Sequence, residues 1–139
     1  MDKFIQKYLI GLLLITLLGF TACVNDDEPA DPSTHNPNLV GKWKMEAKLN
    51  NYSLQETIEF KSNGVYIDNA TGKDGNNKYS VSIKGIWTST HTHITLTVTE
   101  VKSNFQQADI YVGLVETMAY KVINKELFID NGEIPYLKQ

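Results

Sequence analysis

From Trp43 onward, hydrophobic and polar residues alternate with period two. Trp43, Met45, Ala47 and Leu49 fall on one face, with Lys42, Lys44, Glu46 and Lys48 on the other. Successive side chains of a strand point to opposite sides of its sheet, so this pattern predicts a strand with one face in a core. The alternation returns in Leu54, Ile58 and Phe60 and, past a turn at Ser62, Asn63 and Gly64, in Val65 and Ile67, which predicts a hairpin. A polar loop is expected over 69–77, with Gly72 and Gly75 in it. Tyr79, Val81, Ile83, Gly85 and Trp87 then give the inward positions of the next strand. After His91, Ile94, Leu96 and Val98, spaced by threonines, give those of another. Residues 105–123 fit one long bent strand, two strands meeting near Gly113 or a segment with a helical turn, and two strands are the favoured reading. Turns at Asn124, Lys125 and Glu126 and at Asn131, Gly132 and Glu133 bound two short final strands. About eight or nine short strands with no long amphipathic helix define an all-β domain, either an up-and-down barrel or a sandwich. Closure into a barrel also removes unpaired edges.

The residues before this domain read differently. Lys3 and Lys7 precede an apolar stretch over 8–20 that ends in Thr21 and Ala22, directly before Cys23. This is the layout of a secretory signal, and the stretch is shorter than the roughly 20 residues a membrane-spanning helix requires. Phe20, Thr21, Ala22 and Cys23 resemble a bacterial lipobox. That resemblance implies cleavage after residue 22 and lipid attachment at Cys23, the chain's single cysteine and so one without a disulfide partner in the chain. Val24, Asn25, Asp26, Asp27 and Glu28 resemble the acidic export signal of Bacteroidetes-type lipoproteins, which implies the outer face of the outer membrane. Pro29, Pro32 and Pro37, set among polar residues, give a stiffened and solvated linker. The expected organisation is therefore a signal peptide over 1–22, a lipidated tether over 23–38 and one β domain over 39–139.

Charge narrows the function. The 13 basic residues, every one a lysine, are outnumbered by 16 acidic ones. An acidic chain lacks the basic face that neutralises nucleic-acid phosphates, and without arginine it has no bidentate fork for carboxylate or phosphate.

Gly41, Lys42 and Trp43, at the start of the first strand, resemble the G-x-W signature of lipocalins, with a second copy at Gly85, Ile86 and Trp87 and a closing Tyr136, Leu137 and Lys138. The whole of 39–139 looks like the lipocalin-like lipoprotein domains of gut Bacteroidetes. The resemblance implies an eight-stranded antiparallel barrel in which Gly41 and Trp43 close one end. An arginine of the last strand usually covers that tryptophan; here Lys138 or Lys121 is the candidate for its place.

It also implies a carrier of a small apolar or amphipathic ligand. The inward phases of Met45, Tyr79, Trp87, Tyr111, Met118 and Tyr120 supply a candidate pocket, and core packing is the simpler role for the tryptophans. Glu56 falls on the inward phase of Leu54, Ile58 and Phe60, where a carboxylate needs a partner. It either orients a ligand or marks a bulge or the true start of the strand. The alternative to a carrier is a filled barrel that presents its outer face to a surface protein. His91 and His93 supply at most two metal ligands, and no motif for a metal site, nucleophile or phosphate loop accompanies them, so no metal, cofactor or enzyme activity is expected.

Overall fold

The computed structural model describes residues 35–105 and 110–139. The expected signal peptide, Cys23 and the expected tether up to residue 34 lie outside the described residues. The chain forms eight antiparallel strands: β1 (Gly41–Leu49), β2 (Tyr52–Phe60), β3 (Val65–Asp74), β4 (Asn77–Ser89), β5 (His93–Ser103), β6 (Val115–Ile123), β7 (Glu126–Ile129) and β8 (Tyr136–Lys138). Each pairs with the next, and β8 returns to β1, so the protein is a closed up-and-down barrel. Closure rests on a short seam, Trp43 opposite Lys138 and Lys44 opposite Leu137, continued by the Gln139 amide donating to the Lys42 carbonyl at 2.9 Å.

Alternation sets the inward face of most strands, and four expectations change. Val65 and Ile67 point outward, because the register sets Phe60 opposite Tyr66, so Tyr66, Asp68 and Ala70 share the inner face. The loop expected over 69–77 is mostly strand: β3 runs to Asp74, and only Gly75 and Asn76 separate it from β4. Here the inward residues, Ala70 and Gly72, are too small to register as a hydrophobic pattern. Residues 105–123 contribute one strand among the described residues, β6, preceded by a turn that places Gly113 in the left-handed region at φ 94°. Leu49, at the end of β1, is exposed rather than inward.

Gly85 shows how tightly the strands are drawn together. It sits at the irregularity where β4 shifts register against β5. A Cβ there would stand 2.1 Å from the Thr97 carbonyl oxygen and 2.4 Å from the Tyr66 ring. One of these neighbours is backbone held in the ladder, so the clash cannot be relieved by a rotamer change alone. Gly85→Ala should therefore cost about 2–3 kcal/mol, the upper part of the overpacking range. Urea denaturation checks this, and an unchanged midpoint would mean that β4 and β5 separate freely.

Candidate functional site

One end of the barrel is closed by aromatic side chains and by the residues that precede β1. Trp43 is fully buried and donates from Nε1 to the Leu39 carbonyl at 2.7 Å, fixing Leu39 as a buried plug. Gly41, at φ 133°, lies where a Cβ would meet Lys138 Cε at 3.0 Å. Lys138 thereby reaches over the Trp43 ring, its Nζ 5.0 Å from the centroid, with favourable cation–π geometry. Lys121 lies instead over Phe128.

Residues 35–38, expected to belong to the tether, pack on the barrel. His35 stands edge-on to Trp87 and bonds through Nε2 to the Trp87 carbonyl at 2.9 Å. Asn36 donates from its backbone amide to Ser89 Oγ and from Nδ2 to the Tyr120 hydroxyl. Polar side chains hold this segment down, which is why it carries no hydrophobic signal.

Among the described residues, those expected to line a pocket fall in three places. Met45, Trp87, Met118 and Tyr120 are buried in the common core. Tyr79 is half-buried toward the opposite end, edge-on to Phe105. Tyr111 is 59% exposed in the turn before β6, so it does not face the interior. A hollow lumen would leave the inward side chains wetted. Instead Leu39, Trp43, Met45, Phe60, Trp87, Ile94 and Leu127 have almost no accessible surface, so they fill the barrel as a packed core.

Glu56 neither marks a bulge nor starts its strand. It lies within β2, opposite Met45 and Ala70, and is 5% exposed. Its carboxylate hydrogen-bonds the Tyr136 hydroxyl and Asp68, which is 6% exposed. Burial pushes Glu56 up to about 7, against the lowering effect of these two hydrogen bonds. Burial, then the charge of Glu56, raises Asp68 well above the usual carboxylate range. Asp68 therefore keeps its proton and donates it to Glu56, while its Oδ1 and the Tyr52 hydroxyl are buried without a hydrogen-bond partner among the described residues. Burial, then the Asp130 charge, also raises Glu116 on β6. Sequence reasoning missed Asp68 because Val65 and Ile67 suggested the opposite phase for β3.

A concave site of about 570 Å³ lies on the outer face of β1–β4. Two rows of outward side chains cross it in register. One runs Glu46, Gln55, Thr71 and Ser80; the other runs Lys48, Ser53, Lys73 and Lys78. Asn104 borders it, accepting from the Ser80 amide at 2.8 Å and donating to the Lys78 carbonyl at 3.2 Å. Glu46 pairs with Lys44 at 2.7 Å. Nothing in the sequence pattern marks this groove, since its residues meet only through the register of four strands.

His91 and His93 are exposed at the β4–β5 turn, and His93 Nδ1 lies 2.8 Å from the Thr92 hydroxyl. No group of three metal-ligating side chains occurs among the described residues. No protein-family model matches the chain, and no curated protein sequence matches it significantly.

Proposed function

We propose that this protein is an exported lipoprotein whose filled β-barrel is a binding module acting through its outer surface. The packed interior carries this reading: with the large inward side chains almost without accessible surface, a ligand has no lumen to enter. The outer face carries recognisable features instead. Val65, Ile86, Thr97 and Val115 align across β3–β6, with Ile86 and Val115 more than half exposed, and the polar groove spans β1–β4. Tethering through Cys23 would keep such a surface at the membrane and free to meet a partner.

The test is titration of the purified domain with an apolar fluorescent probe. The expected result is no saturable signal from the native protein, with a signal appearing only as the melt exposes the core. Saturable binding near one probe per chain, accompanied by a raised melting midpoint, would instead identify a carrier.

The anchor makes a separate prediction. Cys23→Ala should move the protein from the membrane to the soluble fraction or leave its leader uncleaved, because several acyl chains, at about 0.8 kcal/mol per buried methylene, hold a protein firmly. Normal maturation and unchanged membrane pelleting of the variant would contradict lipidation at Cys23.

A further inference from the structure

Resting on the outer-face reading, we infer that the groove on β1–β4 binds an anionic saccharide. Lys48, Lys73 and Lys78 hold its acidic groups, and the neighbouring hydroxyl and amide side chains hold its sugar hydroxyls.

Lys73 and Lys78 are direct cross-strand partners on the outer face. Like charges directly opposite one another destabilise a sheet pair. Neither has an ion-pair partner among the described residues, and Lys48 extends the same row from β1. The one carboxylate lining the groove, Glu46, is already paired with Lys44. Three lysines therefore face one concave space: Lys48 shares the Glu46 charge with Lys44, while Lys73 and Lys78 form no ion pair among the described residues. The chain as a whole carries net charge −3, so this grouping does not follow from a generally basic surface. Adjacent strands lie about 4.8 Å apart, which spaces the ammonium groups along a ligand lying across the strands rather than around a single ion.

The rest of the lining selects the ligand's chemistry. Ser53, Gln55, Thr71 and Ser80 direct their side chains to the same face, and these side chains make no hydrogen bond among the described residues. Leu54 is buried and Tyr79 half-buried, and the other residues lining the groove are polar or charged apart from Gly72. A hydroxylated chain with regular negative charges meets a polar or cationic partner at each row. Asn104 has both ends of its amide engaged by β4, which holds the groove's border in place before any ligand arrives.

Calorimetric titration of the soluble domain at low salt, with a galacturonate hexamer and a heparin-derived hexasaccharide as probes, tests this. Wild type should bind at least one of them saturably, and binding should weaken as salt rises. The double variant Lys73→Gln/Lys78→Gln should lose at least tenfold in affinity while its melting midpoint stays level or rises, since the opposed charges are gone. Lys121→Gln, on β6, should leave affinity unchanged, and the methyl-esterified galacturonate hexamer should bind at least tenfold more weakly than the free acid.

Four results would overturn the inference: no binding of either probe, undiminished binding by the double variant, equal loss in Lys121→Gln, or equally tight binding of hexaglutamate, which would reassign the groove to acidic peptides. None of these touches the filled-barrel reading, which falls only if the apolar probe enters the native barrel.

Discussion

Trp43→Ala should lower the domain's unfolding free energy by about 3–5 kcal/mol, a large share of the roughly 5–15 kcal/mol a single domain has. Three contributions are lost at once. The indole is fully buried at the barrel's end, so its removal leaves a cavity the surrounding strands cannot fill. Its Nε1 donor disappears and leaves the carbonyl of buried Leu39 unpaired. Lys138 loses the ring beneath its ammonium, next to the two-residue seam that joins β8 to β1. Trp43→Phe separates these terms: it keeps most of the packing and the ring face but not the donor, and should cost about 1–2 kcal/mol. Urea denaturation of both variants measures the split. A midpoint for Trp43→Ala close to wild type would mean that this tryptophan does not close the barrel.

The second large effect is on pH. Both Glu56 and Asp68 hold protons more tightly in the folded barrel than in the unfolded chain, because burial disfavours their charged forms. The groups facing them inside, Tyr52, Tyr66 and Tyr136, are neutral hydroxyls. The folded state then binds more protons than the unfolded state as pH rises, so stability falls with pH.

The stabilising contribution is complete below the unfolded carboxylate range near 4.5. It declines as pH rises through about 7, where Glu56 ionises in the fold, and the raised Asp68 adds to the same decline. Asp68→Asn offers Glu56 an amide donor that needs no proton, so the slope above neutral pH should flatten in this variant. Melting midpoints measured from pH 5 to pH 9 check both statements, and a wild-type midpoint that rises over that interval would contradict the buried carboxyl pair.

Much of the barrel was legible because its strands follow period-two alternation. Trp43 and Met45 in β1, Val81 to Trp87 in β4, and Ile94 to Val98 in β5 all face inward as their phases require. The pattern misled where hydrophobicity and facing part company. In β3 the apolar Val65 and Ile67 lie outside while Asp68 and Gly72 lie inside, so a reading by hydrophobicity inverts the strand and ends it early. The acid pair was half legible: Glu56 stood out against its apolar neighbours on the inward phase, but its partner Asp68 was hidden by that inversion. Partners distant in sequence were not legible at all. The hold of His35 on Trp87 and the alignment of Lys48 with Lys73 and Lys78 depend on which strands are neighbours and in what register, which alternation within a single strand does not contain.

The most direct test of a filled barrel uses the chain's two tryptophans, Trp43 and Trp87, both buried among inward side chains. Acrylamide quenching of native tryptophan emission reports how far small molecules reach the barrel interior. A packed interior predicts blue-shifted emission, quenching only slightly above that of a fully shielded indole, and no change on adding dodecanoate. Red-shifted emission that acrylamide quenches readily and dodecanoate protects would show a wet, ligand-accessible lumen and contradict the account.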